Sequence, residues 1–126
     1  MENLSLFALA SQKNRWLAER QAVVAQNVAN ANTPGFKAKD LEPFEAAMER
    51  TGFQLAAPRA GHLTLGGTAR LSAAAVNAPE HDGSHSGNTV NIEQEMMKLG
   101  AINREYGLNA GILKSFQRML MTSTRG

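Results

Sequence analysis

The chain has 126 residues, enough for one domain or less, and no cysteine, which removes disulfide frameworks and cysteine-based metal sites. Its net charge of +2 comes from dispersed side chains: six basic and six acidic in residues 1–50, two and two in 51–90, five and three in 91–126. The excess lies in the last third and forms no basic stripe, so nucleic-acid binding is disfavoured despite a pI near 9.3.

The first element is a helix from Asn3 to about Ala31. Leu6, Leu9, Leu17, Val24, Val28 and Ala31 recur at spacings built from three and four, which gives one apolar stripe. Trp16 and Val23 widen it, and Arg15–Glu19 forms an i,i+4 pair on the polar side. At ~1.5 Å per residue this helix is roughly 40 Å long. So long a helix has too little chain around it to make a compact bundle, and it requires a partner.

The stretch from Asn27 to Asp40 ends it. Asn27 and Asn30 are three apart and share a helical face, where their amides can donate to terminal carbonyls or to a neighbouring chain. Thr33-Pro34-Gly35-Phe36 reads as a turn: proline presets φ at the second position, glycine supplies positive φ at the third, and Phe36 can fold back onto the helix. A plain helix stop accounts for Pro34 and Gly35. It leaves Asn27, Asn30 and Asn32, set among small apolar residues, unexplained.

Leu41 to Arg50 suits a short helix through Phe44, Ala47 and Met48, with Glu42, Glu45 and Glu49 on its solvated face. Gly52, Pro58, Gly61, Gly66, Gly67 and Pro79 then break every periodic pattern. His62-Leu63-Thr64-Leu65 and Ala69-Arg70-Leu71 are brief strands or nothing, and residues 81–87 are a polar linker. Such a middle buries too little apolar area to offset its ordering entropy and is expected to be loosely structured in the monomer.

A second helix begins near Asn91, which with Gln94 suits a capping box, and Glu93 and Glu95 complement the positive end of its dipole. Leu99, Ile102, Tyr106, Asn109, Leu113, Phe116 and Leu120 repeat at three and four, a heptad seam with a polar break at Asn109. With Leu17, Val24 and Val28 from the first helix they are the expected coiled-coil seam. Gly100, Gly107 and Gly111 line one face with Arg104. Each glycine costs up to about 1 kcal/mol against alanine in a helix, so three on one face point to a second helix packing very close. Met96, Met97, Met119 and Met121 suit an adaptable interface or ordinary seam filler equally.

Enzymatic and metal chemistry have little to stand on. There is no GxSxG, Walker loop, HExxH or cysteine nucleophile, so no catalytic or cofactor-binding residue is assigned. His81 and His85 have a ligand-like spacing, but Gly83 and Ser84 between them argue for a solvated loop, and no metal site is assigned. No apolar run nears the ~20 residues that span a bilayer, which argues against direct membrane insertion. The N-terminus also lacks the basic segment and apolar core of a cleavable secretory signal.

Two segments carry a family resemblance. Asn27-x-x-Asn30 followed by Ala31-Asn32-Thr33-Pro34-Gly35-Phe36 is similar to the N-terminal signature of the flagellar rod, hook and axial protein family. Lys37-Ala38-Lys39-Asp40 narrows the likeness to its proximal rod members. Gly87-Asn88-Thr89-Val90-Asn91-Ile92-Glu93, with Glu95 and Met96, looks like the segment that opens their C-terminal helix. The likeness spans roughly Leu4 to Asp40 and His85 to Thr122, and places His62 in a weak His-Leu feature of the family's middle. Asn32 and Asn91 stand where the family often has aspartate, and Phe36 where tyrosine is common.

The resemblance implies a mainly α protein whose N- and C-terminal helices form an antiparallel coiled coil, with an irregular middle that holds a short helix or brief strands. Its parts are residues 1–40, 41–87 and 88–126 of one structural unit. It implies a non-enzymatic subunit of the flagellar basal body, polymerising into a tube that joins the membrane ring to the distal rod and transmits torque. The implied partners are copies of itself, other rod proteins, a rod-to-membrane-ring adaptor, the membrane-ring protein and the export apparatus. Such subunits reach the periplasmic region uncleaved, through the flagellum's own channel. Asn27, Asn30, Thr33, Pro34, Gly35 and Phe36 would serve the turn and subunit contacts, and Asn88, Thr89, Val90 and Ile92 the start of the second helix. Trp16 and Val23, the glycine face, Met119 and Met121 would be covered only by neighbouring subunits. The competing readings are a soluble coiled-coil adaptor or export chaperone, and a sibling small proximal rod protein. An adaptor has no need of the chemistry in Asn27–Asp40.

Overall fold

The computed structural model describes residues 2–50, 74–78 and 86–126. Helix α1 runs over Glu2–Ala29, strand β1 over Lys39–Leu41, helix α2 over Phe44–Arg50, strand β2 over Ala75–Asn77 and helix α3 over Ile92–Arg125. The apolar scraps at 63–65 and 69–71, His62, and the His81–His85 pair lie outside the described residues.

The two long helices pair antiparallel, as shown by contacts whose numbers run in opposite directions. Lys13 Nζ meets Glu105 at 3.3 Å, the Tyr106 hydroxyl donates to the Asn14 carbonyl at 3.3 Å, and Asn27 donates to Glu95 at 3.1 Å. Leu17, Val24 and Ile102 are buried at the centre, with Val28, Leu99 and Tyr106 packed against them. The seam is shorter than its periodicity suggests. Leu113 and Phe116 are half-buried, and Leu120 is 42% exposed. The pairing of Ala10 with Asn109 aligns α1's first turn with about residue 117, so the last two turns of α3 run past α1 and find no helix beside them among the described residues.

Local chemistry sets the helix ends. α1 stops two residues before the expected Ala31, because the Asn30 N–H is shared between the Gln26 and Asn27 carbonyls and Ala31 N–H turns to Val28 O. At the start of α3 the Asn91 carboxamide oxygen accepts from Glu93 N–H at 3.0 Å and Gln94 N–H at 3.3 Å. Among the described residues no helix is long and apolar enough to cross a membrane.

In the excursion after α1 the expected short helix forms as α2, and two brief strands form at positions where none was placed. β1 pairs antiparallel with β2 in the register Lys39–Asn77, Asp40–Val76 and Leu41–Ala75. Leu41, Phe44 and Ala47 are buried with Trp16. Trp16 and Val23 are therefore not left for neighbouring subunits. Trp16 is buried edge-on against Phe44, with ring centroids 6.1 Å apart, its indole N–H donates to Glu42 O at 3.0 Å, and Val23 is half-buried. Lys13 lies within 5 Å of both rings, at 4.7 and 4.8 Å. The second apolar face of α1 is covered by the chain's own β1–α2 segment.

Candidate assembly interface

At the end of the helix pair remote from the chain termini, three segments are joined by asparagine side chains. The Asn27 carboxamide, almost fully buried, pairs both ways with one residue of β1: its oxygen accepts from Lys39 N–H at 3.1 Å and its nitrogen donates to Lys39 O at 2.6 Å. This is how a strand neighbour would bond, so a helix side chain here completes the edge of β1. The same nitrogen donates to Glu95, which is only 2% exposed.

Asn88 does the corresponding work for the end of α1. Its side-chain nitrogen lies 2.9 Å from Asn30 O, 2.9 Å from Ala31 O and 2.8 Å from Thr33 O, gathering carbonyls that a helix terminus leaves unpaired. Its oxygen accepts from Val90 N–H, which bends the chain toward α3. Thr89 N–H donates to Phe36 O and its hydroxyl accepts from Ala38 N–H at 2.8 Å. Asn88 and Thr89 thus bridge the Asn27–Asp40 stretch and α3.

Gly35 has φ +74°, and Phe36 N–H closes the turn on Thr33 O at 3.2 Å, the geometry that a Pro-Gly type II turn demands. Gly35 N–H donates to Ser86 O, so turn and linker meet. Asn30 donates to Gln26 O and accepts from the Thr33 hydroxyl, staying within its own turn. Pro34 is exposed and Phe36 half-buried. Ile92 is half-exposed and Val90 half-buried, so Asn88, Thr89 and Asn91 hold the start of α3, and Ile92 offers its side chain outward.

Beside the clamp lies a charged cluster that the sequence reading did not single out. Arg20 Nε donates to Asp40 at 3.2 Å, Lys98 lies 3.5 Å from Asp40 and 3.0 Å from Glu95. Burial pushes the Asp40 carboxyl up, but the Arg20 hydrogen bond, the Leu41 N–H and the charges of Arg20 and Lys98 outweigh it and hold it below its usual value. Glu95 could have been found by phase, since it sits four residues before Leu99 and so extends the seam by one step. Asn109, the polar break, is buried and donates to Ala10 O at 2.9 Å and Asn14 Oδ1 at 2.6 Å.

Among the described residues, nothing covers the opposite face of α3. A β-carbon at Gly100, Gly107 or Gly111 would meet nothing within 4 Å. Met97 is 71% exposed and Leu108 and Met119 68% each, on the same side of the helix. Among the described residues, eight of the eleven large exposed hydrophobic ones belong to α3: Ile92, Met96, Met97, Leu108, Ile112, Met119, Leu120 and Met121.

A paired-helix body stitched at one end and apolar along an outer helix fits the class of an assembly subunit. Comparison with known proteins agrees. Residues 16–37 match the family model described as flagella basal body rod protein. The chain is 43% identical to the flagellar basal body rod protein FlgB of Agrobacterium fabrum over 99% of its own length and 96% of the relative's. It is 31% identical to FlgB of Aeromonas hydrophila, covering 86% and 84% of the two chains, and 29% identical to that of Salmonella typhimurium, covering 86% and 85%. The chain belongs to the FlgB family of flagellar basal body rod proteins.

Proposed function

We propose that this protein is a non-enzymatic structural subunit of the proximal rod, polymerising into the helical tube that joins the membrane ring to the more distal rod and transmits torque. Membership of the FlgB family supports the basal-body location and assembly with other rod proteins. The observation that carries the reading is the uncovered apolar face of α3, opposite a seam that already satisfies the helix pair. Exposed patches of this kind mark contacts with other chains. Repeated heterologous contacts of one face with a different face build an open helical array.

The Asn27–Phe36 turn and the Asn88–Thr89 bridge set the shape of the end each copy presents to its neighbours. Further partners are the rod-to-membrane-ring adaptor, the membrane-ring protein and the export apparatus, met in the periplasmic region after export without cleavage. Residues 1–40, 41–87 and 88–126 act as one structural unit. Replacing the chromosomal copy with Gly35→Val tests the reading. Val resists positive φ at a cost of about 1–3 kcal/mol, so export should continue while basal bodies lack a rod. Motile cells with normal basal bodies would refute the role given to the turn.

A further inference from the structure

Beyond Glu105 the outer face of α3 is not only apolar but one-signed. After Glu105 the chain holds Lys114, Arg118 and Arg125 and no acidic residue. Lys114 and Arg118 are exposed, one turn apart, and neither side chain has a partner among the described residues. They flank the uncovered positions Gly107 and Gly111. Two copies meeting through this face would set cation against cation, so its occupant must bring carboxylates.

The chain carries a matching surface. On α2, Phe44, Ala47 and Met48 turn inward, which leaves Glu45, Ala46 and Glu49 outward. Glu45 and Glu49 are also exposed, one turn apart and without a partner among the described residues, whereas the nearby Glu42 is held by Arg50 at 2.7 Å. The small side chain of Ala46 lies beside the two carboxylates, as Gly111 lies beside the two cations.

We propose that the α3 face bearing Lys114 and Arg118 receives the α2 ridge, Glu45 and Glu49, of a neighbouring copy, with Ala46 seated over Gly111. The contact is heterologous, because each copy offers an acidic ridge at one place and a basic face at another, and it propagates without closing. It rests on the rod-subunit reading and gives that assembly one of its contacts.

The absence of native cysteine makes cross-linking a clean test. Cells carrying Ala46→Cys and Gly111→Cys in one chain should yield, from oxidised basal bodies, a ladder of disulfide-linked dimers and higher multimers. Neither single variant should do so. Dimers from Gly111→Cys alone would show that the face meets its own copy and would overturn the proposal. Basal bodies that contain the doubly substituted chain without cross-links would overturn the pairing and leave the rod reading standing. Absence of the unsubstituted chain from basal bodies would remove both. If the cysteine chains fail to assemble, charge reversal decides. Glu45→Lys with Glu49→Lys, or Lys114→Glu with Arg118→Glu, should each lower the number of complete basal bodies about tenfold or more. All four changes together should restore it, and a fourfold variant no better than either pair refutes the contact.

Discussion

Asn27 concentrates more of the fold in one side chain than any apolar residue of the seam. Its amide is buried, bonded to both backbone groups of Lys39 and to Glu95, so truncation strands three groups at once. Asn27→Ala should cost about 2–3 kcal/mol by urea unfolding followed by circular dichroism; a loss under ~0.5 kcal/mol would show that water replaces the amide. Asn88→Asp should be worse than Asn88→Ala, because a carboxylate would face the Asn30, Ala31 and Thr33 carbonyls. Equal unfolding midpoints would contradict that geometry. Asp40 gives a pH signature. Its folded pKa lies below its ordinary value of 3.8, so its stabilising contribution is full above that value and fades as pH falls through the folded pKa. The stability gap between the parent chain and Asp40→Asn should be constant near neutrality and shrink below about pH 4. A gap that widens in acid would reverse the assignment.

At the scale of elements, the seam explains why the two long helices find one register. Ile102→Ala removes a fully buried side chain facing Leu17 and Val24 and should cost about 2–5 kcal/mol. Leu120→Ala, in the overhang, should change the unfolding midpoint of the isolated chain little. How much of this was legible follows from range. The three-and-four spacing of Leu17, Val24, Leu99 and Ile102 is local, as are the Asn91 cap and the Pro34-Gly35 turn, and all could be read along the chain. The targets of Asn27 and Asn88 were not readable, since Glu95 lies 68 residues from one and Asn30 lies 58 from the other. Trp16 was misplaced for the same reason. Nothing in its neighbourhood announces that Phe44 returns to cover it. Brief strands were expected in the middle, but their places at 39–41 and 75–77 were not read, because each is three residues long and β2 is exposed throughout, which leaves no alternation to detect.

At the scale of the molecule, the two faces of α3 divide the work. One face, through Leu99, Ile102, Tyr106 and Asn109, holds the monomer together. The other, through Met97, Leu108 and Met119, has nothing against it among the described residues. A chain built this way has a defined helix pair but keeps substantial apolar area in water until it joins its neighbours. The central claim is that this area is covered by rod-type assembly. Sedimentation velocity on the purified full chain, alone and mixed with flagellar rod and membrane-ring proteins, tests it most directly. The account predicts a monomer alone and large assemblies on mixing. A stable dimer or tetramer indifferent to those proteins would contradict it.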